Sequence, residues 1–316
     1  GVPLTLLKLR EHHRSAVIEM GMNHAGELTY LGQIVRPTIG LITNAAAAHL
    51  EGLKTVQGVA QAKGELIDFV ADDGTVILNR DDRFYASWKS RAGSRRCLSF
   101  GTDPAADVRI LSGGSGRLQL AVLGKSTDFE FKLLGEHNRL NAAAAVAVAL
   151  AAELPVQAIH AGLARVAAVQ GRLNAHRLQG GGLLIDDSYN ANQASMRAAI
   201  DVLAEQEGTS VLVLGAMGEL GEQSSEIHRQ IGDYARARGI DRLFTLVDRK
   251  EAEYLNDMAA YLKGFGVNSQ AFSDVESLVA RIEALEAPLS VLVKGSRFAA
   301  MERVVDKIQS RGNSSC

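Results

Sequence analysis

Residues 182–192 read Gly182-Leu183-Leu184-Ile185-Asp186-Asp187-Ser188-Tyr189-Asn190-Ala191-Asn192, and the fold follows from how this run is parsed. Leu183 to Ile185 form a short apolar stretch of the kind that makes a buried strand. It stops abruptly at two carboxylates, a hydroxyl, a phenol and two amides, and a helical pattern starts near Ser195. Polar groups gathered at the carboxyl end of a buried strand mark the ligand edge of an open α/β sheet. There Asp186 and Asp187 have the chemistry to hold a ribose hydroxyl pair or a metal-bound water, and Asn190 and Asn192 to bond a peptide or carboxylate. The same residues equally suit an Asx turn and the cap of a helix from about Ala194.

Downstream, strands are expected at Ser210 to Leu214, Arg242 to Val247, Asn268 to Phe272 and Ser290 to Val293. Helices are expected between them near Ser195–Glu207, Ser225–Arg238, Glu251–Phe265 and Asp274–Leu285, with a last one over Arg297–Gln309. That alternation is a doubly wound, Rossmann-like layout. Gly215-Ala216-Met217-Gly218-Glu219-Leu220-Gly221 follows the second strand, but its glycines are spaced G-x-x-G-x-x-G, not as a dinucleotide fingerprint requires. Lys294-Gly295-Ser296-Arg297 sets two cations and a hydroxyl at the expected start of a helix, which makes an anion clamp or, more plainly, a solvated turn.

Upstream, a strand at Ser15 to Glu19 runs into a glycine-punctuated polar loop, which places Glu19 where a metal ligand would sit. Thr38 to Thr43 is a second strand ending in Thr43-Asn44, and His49-Leu50-Glu51-Gly52 follows a run of alanines. A helix over Thr55 to Phe69 carries Lys63, and a strand over Gly74 to Leu78 closes on Asn79-Arg80-Asp81-Asp82. Alternating strand, loop and helix argue a mainly parallel sheet. Between Asp107 and Leu134 the period drops to two, which predicts an antiparallel ribbon. Its Gly124-Lys125-Ser126-Thr127 looks like the end of a P-loop, but Gln119 stands where that pattern needs glycine, so a hairpin turn is the expectation. Helices follow at Asn138 to Ala152 and Pro155 to Val166, with Asn138 and Asn141 three apart on one face near an amino terminus.

Gly171-Arg172 closes the first half, giving domains 1–174 and 175–312 and a tail 313–316. Two domains of that size can each bury a core. With 47% hydrophobic and 22% charged residues the chain is globular rather than disordered, and a net charge of -2 gives no reason to expect nucleic acid. The cysteines, Cys97 and Cys316, make no disulfide framework, and no apolar stretch suits membrane insertion. The expectation is a cytoplasmic monomer.

In their order, Glu19-Met20-Gly21, Thr43-Asn44 with His49-Leu50-Glu51, Ala62-Lys63-Gly64-Glu65, Asn79-Arg80-Asp81-Asp82, Gly135-Glu136-His137-Asn138-Arg139-Leu140-Asn141, Gly171-Arg172, the Asp186–Asn192 run, Met217-Gly218-Glu219-Leu220-Gly221 and Lys294-Gly295-Ser296-Arg297 resemble the Mur ligases of bacterial cell-wall synthesis. Within that family the likeness is greatest to the branch that adds D-Ala-D-Ala to UDP-N-acetylmuramoyl-tripeptide. It implies a central ATPase-type domain followed by a Rossmann-like acceptor domain, with ATP and magnesium (Mg2+) as cofactors and an acyl-phosphate intermediate. By motif it implies Glu19, His49 and a carbamylated Lys63 as metal ligands, Asn138 and Asn141 for adenine, Arg172 for phosphates and Asp187 for ribose. Asn190, Asn192, Lys294, Ser296 and Arg297 would face the dipeptide. A bare lysine among metal ligands is electrostatically wrong, whereas a carbamate fits. Gly1 to Leu7 resembles the segment after the family's P-loop, so the expectation is a chain without P-loop or uridine-binding domain that binds ATP poorly and turns over little. Gln193, where many relatives place proline, and the plain Ala45 to Ala48 depart from the pattern. Another Mur-type or folylpolyglutamate-type ligase, or a non-catalytic binding module, stand as alternatives.

Overall fold

The computed structural model describes residues 1–46, 50–114, 116–247 and 253–313, in two compact units. One comprises 1–132 with 138–166, the other 133–137 with 167–316. Residues 167–174 group with the second unit because Gly171 and Leu173 hydrogen-bond to the carboxylates of Asp186 and Asp187.

The chain up to residue 166 forms α1 (Val2–Leu6), α2 (Glu27–Val35), β1 (Ile39–Ile42), α3 (Leu50–Leu53), α4 (Val56–Gly64), a 3-10 turn (Glu65–Phe69), β2 (Thr75–Asn79), α5 (Tyr85–Ala92), β3 (Arg96–Gly101), β4 (Val108–Gly114), β5 (Arg117–Val122), β6 (Lys125–Glu130), α6 (Glu136–Ala151) and α7 (Val156–Arg165). Its sheet runs β1-β2-β3-β4-β5-β6, parallel through β4 and antiparallel beyond. β2 is buried along its whole length, and Val76 and Leu78 pack with Ile42, Ala60, Ile67 and Trp88. Thr55 caps α4 by accepting the Gly58 N–H at 3.0 Å. The ribbon is the expected antiparallel one. Leu123-Gly124 turn it with φ of 48° and 81°, and Lys125 pairs with Val122 in the ladder, so no phosphate loop exists there.

Ser15 to Glu19 is not a strand, which corrects the sequence reading. β1 is the edge of the sheet, and no ladder reaches residues 15–19. Val17 is 94% exposed and only Ile18 of this short apolar run is partly buried, so little packing is there to hold a strand. The loop after it turns helical at Glu27, because the Glu65 carboxylate accepts the N–H groups of Gly26 (2.8 Å) and Thr29 (3.0 Å) at the amino end of α2.

The second unit holds β7 (Asn174–Arg177), β8 (Gly182–Asp187), α8 (Gln193–Ala204), β9 (Thr209–Leu214), α9 (Ser224–Ala237), β10 (Arg242–Leu246), α10 (Leu255–Phe265), β11 (Ser269–Phe272), α11 (Val275–Glu283), β12 (Leu289–Lys294) and α12 (Glu302–Asn313). The strand order is β11-β10-β9-β12-β8-β7, all parallel except the edge strand β7. Apolar residues alternate between faces: Ile185, Leu212 and Leu214 pack under α8, α9 and α10, while Leu184, Val211 and Val213 pack under α11 and α12. After β9 the chain winds outward through β10 and β11, then β12 returns on the other side of β9. Between β9 and β12 lies the switch point where such sheets open a crevice for ligands.

Candidate functional site

At the carboxyl edge of the second sheet, three loops converge. β8 and β12 are neighbours with Asp187 directly opposite Lys294, and the lysine Nζ donates to Asp187 Oδ2 at 2.6 Å and to the Asn190 carbonyl at 2.8 Å. Lys294 is only 2% exposed. Burial pushes the Asp187 carboxyl up, and the adjacent ammonium pulls against that shift. Asp187 Oδ1 accepts the Leu173 N–H at 3.2 Å, while Asp186 accepts from Gly171 N (2.9 Å), Ser188 N (3.1 Å) and Ser188 Oγ (2.6 Å). Ser296 joins the loops: its Oγ donates to the Ala191 carbonyl (3.3 Å) and accepts the Gly218 N–H (2.9 Å), and its own N–H donates to Ala216 O (2.9 Å).

The sequence reading set Lys294, Ser296 and Arg297 together as a clamp, and the structure separates them. Lys294 is neutralised by Asp187, and Ser296 is buried between loops. Nor do they stand at a helix start: Arg297–Ala299 is a 3-10 turn, Ala300 has a left-handed φ of 44°, and α12 begins at Glu302. What faces solvent is Arg297, bonded to Glu302 at 2.9 Å, together with Arg172 and Tyr189. The Tyr189 ring, 48% exposed, has the Arg172 guanidinium 4.8 Å from its centroid and that of Arg297 5.9 Å away. Asn192 caps α8, accepting the Ser195 N–H at 2.8 Å while Ser195 Oγ accepts the Asn192 N–H at 3.0 Å, and Asn190 accepts its neighbour's N–H at 2.9 Å.

Sequence reasoning missed the support behind this edge. His228 is fully buried, its Nε2 accepts the Met217 N–H at 3.0 Å, and its Nδ1 lies 2.7 Å from the Ser224 carbonyl. Asp257 accepts from Ser224 Oγ (2.6 Å) and Ser225 Oγ (2.8 Å). Phe298 lies against Gly218 and stacks on Tyr254 with centroids 4.7 Å apart. Nothing in helical periodicity marks a polar residue inside a core, so these were invisible.

In the first unit, the carboxyl ends of β1 and β2 are tied together. Asn79 Nδ2 donates to the Thr43 carbonyl at 2.9 Å, and Asp82 Oδ2 accepts the Ala45 N–H at 2.7 Å. From α4, Lys63 Nζ donates to the Asn44 carbonyl at 2.7 Å. Burial pushes the Lys63 ammonium's pKa down, while Asp82 opposes the shift. Glu19 lies exposed in the unpaired 15–20 segment, and His49 lies outside the described residues. Among the described residues no three acidic, histidine or cysteine side chains group as a metal site. Magnesium commonly takes one or two protein carboxylates and completes its shell with water and phosphate, so a pre-built cage is not what it requires. Asn138, half-buried, and Asn141, exposed, lie in the first turns of α6. Among the described residues no helix is long and apolar enough to cross a membrane.

Residues 1–149 match the Mur ligase middle domain and residues 171–297 the Mur ligase, glutamate ligase domain. The UDP-N-acetylmuramoyl-tripeptide--D-alanyl-D-alanine ligase of Escherichia coli K12 is 40% identical over 99% of this chain and 69% of its own length. A crystal structure of MurF from Acinetobacter baumannii superposes with a TM-score of 0.86 at 34% identity, covering 98% of this chain and 68% of that one. MurF ligase from Thermotoga maritima, crystallised in complex with ADP, shares the fold with a TM-score of 0.85 at 24% identity, covering 100% of this chain and 72% of that one.

Proposed function

This chain belongs to the Mur ligase family, and we propose that it serves as the ATP-dependent ligase that joins D-Ala-D-Ala to UDP-N-acetylmuramoyl-tripeptide in peptidoglycan precursor synthesis. Its likeness to the Escherichia coli ligase along nearly the whole chain carries the reading. The donor's terminal carboxylate attacks the γ-phosphorus of ATP, giving an acyl-phosphate and ADP. The neutral amine of D-Ala-D-Ala then attacks the acyl carbon, phosphate leaves, and the amine loses a proton. Setting the amine against the acyl carbon is an entropic task that fixed side chains perform.

Arg297, exposed at the switch point, is the cation suited to the dipeptide carboxylate. Lys294, Ser296, Asn190 and Asn192 act one layer back, holding the loops that present it. Asp187, whose two oxygens also hold Lys294 and the Leu173 N–H, is the carboxylate for ribose, and Arg172, exposed over the Tyr189 ring, is the cation for phosphate. Asn138 and Asn141 serve adenine. Glu19, His49 and a carbamate on Lys63 would hold magnesium, which when bound offsets the repulsion between a carboxylate and a triphosphate. The reaction draws on cytosolic ATP, with neither nucleic acid nor membrane as partner and the chain acting as a monomer.

Phosphate release by the enzyme containing this chain should require ATP, the UDP-tripeptide and D-Ala-D-Ala together. A preference for a free amino acid over the dipeptide, or release without the UDP-tripeptide, would overturn the assignment. A second expectation concerns Lys63, whose lowered pKa enlarges the neutral amine fraction that captures CO2. Activity should fall after CO2 is stripped and return with bicarbonate. Lys63→Arg should lose about tenfold or more in kcat, a loss of at least ~1.4 kcal/mol in transition-state stabilisation, and not respond to bicarbonate. Equal activity of the arginine variant would remove the carbamate from the account.

A further inference from the structure

The Gly215–Gly221 loop fits no dinucleotide fingerprint, yet four consecutive residues of it are pinned. Gly215 N–H donates to Lys294 O at 2.8 Å, Ala216 O accepts from Ser296 N at 2.9 Å, and Gly218 N–H donates to Ser296 Oγ at 2.9 Å. These three bonds come from the end of β12 and the loop after it that carries Arg297. The fourth comes from the opposite side, where the Met217 N–H is taken by His228.

We propose that His228 is a positioning residue for the acceptor step: as a neutral imidazole protonated on Nδ1, it fixes Met217, and through Met217 the seat of Phe298 and Arg297. The tautomer follows from its partners. The Ser224 carbonyl at 2.7 Å can only accept, so Nδ1 carries the proton, and Nε2 is left with the lone pair that receives the Met217 N–H. A second proton would set N–H against N–H inside the core. Burial holds the imidazole's pKa down, against the pull of the Ser224 carbonyl and Asp257. Asp257, on α10, is the facing charge at 3.9 Å, and it is already occupied by two serine hydroxyls. Tyr261, also on α10, meets the imidazole edge-on with centroids 4.6 Å apart and donates to Gly215 O at 3.4 Å. The loop residues tied into this network, Gly215 to Gly218, carry no charge. Beyond Met217, a Cβ on Gly218 would lie 2.9 Å from Phe298 Cε1, so the phenyl ring rests on that backbone and any movement of the loop reaches the residue beside Arg297.

The inference rests on the acceptor-ligase reading, so one arm of its test uses no substrate. In the enzyme containing this chain, the Met217 amide should be protected from hydrogen exchange, and labelled His228 should show the Nδ1–H tautomer. The protection should weaken as pH falls below the ordinary histidine value of 6.5, the side to which burial moves His228, opposite to the intrinsic trend of amide exchange. His228→Gln offers Met217 a carbonyl acceptor without a titrating group. Its KM for D-Ala-D-Ala at neutral pH should stay within about threefold of the parent, and the rise of that KM in acid expected of the parent, as His228 takes a second proton, should be absent. His228→Leu should raise that KM by about tenfold or more, with kcat and the KM for ATP changed far less. An unprotected Met217, the other tautomer, or an acid limb persisting in His228→Gln would each overturn the proposal, even if the leucine variant fails to fold. If protection and tautomer hold but the enzyme prefers another acceptor, the same KM shifts should appear for that acceptor. Their absence there too would overturn the positioning role separately from the acceptor assignment.

Discussion

Lys294→Met should destabilise the second unit by about 3–5 kcal/mol near pH 7, and by progressively less in acid. Deleting the cation strands the buried Asp187 carboxylate, whose remaining partner is the Leu173 N–H. Burial already raises that carboxyl above its ordinary value of 3.8, so the folded protein holds its proton more tightly than the unfolded chain. Ionisation therefore opposes folding. Stability is greatest below the ordinary value, declines as pH rises through the folded one, and levels off above it. Without Lys294 the folded value climbs further and the window widens upward. The gap between parent and variant should grow by about 1.4 kcal/mol per pH unit across it. Denaturation followed by near-UV dichroism from about pH 4 to 8 measures this, and Trp88 in the first unit serves as an internal control. A gap that does not change with pH would show that the pair is not electrostatically coupled. Adding Asp187→Leu should recover stability to within about 1–2 kcal/mol of the parent, since an apolar pair avoids desolvating two charges.

Gly232→Ala should cost about 3 kcal/mol or more, the upper end of overpacking effects. α9 and α10 cross backbone to backbone: a Cβ on Gly232 would lie 2.1 Å from the Tyr261 carbonyl oxygen, and one on Gly264 would lie 2.1 Å from that of Arg229. Alanine gains roughly 1 kcal/mol over glycine in a helix interior, but a methyl driven into main-chain atoms outweighs that gain, because neither backbone can rotate away. Gly264→Ala should behave alike. Gly162 in α7 has nothing within 4 Å of its Cβ position, so Gly162→Ala should stabilise by roughly 0.5–1 kcal/mol. Thermal melts of the three variants decide the matter, and a neutral Gly232→Ala would mean that the helices separate freely.

Much of this was legible in the chain itself. The apolar run into Asp186-Asp187 marks a central strand because few other arrangements bury three aliphatics and leave polar groups at one end. β7 escaped notice because Asn174-Ala175-His176-Arg177 is a polar edge strand, held by ladder bonds that composition does not reveal. Ser15 to Glu19 misled in the opposite sense, since a short apolar run makes a strand only where a neighbouring edge pairs with it. Lys294 and Asp187 each looked like a ligand contact. That they meet each other depends on β12 returning beside β8, a pairing of residues 107 apart in sequence that local pattern does not encode. His228 was hidden for the same reason, its partners being supplied by the β9 loop and α10.

One consequence lies where the chain enters the second unit. Gly171, at φ 75° and with no room for a side chain beside Tyr189, is fastened by its N–H to Asp186, and Leu173 is fastened to Asp187. Between them, Arg172 is hung on two tethers anchored to the end of β8. Asp187, the carboxylate that holds Lys294, therefore also fixes the backbone beside Arg172, so both cations take their positions from the end of one strand.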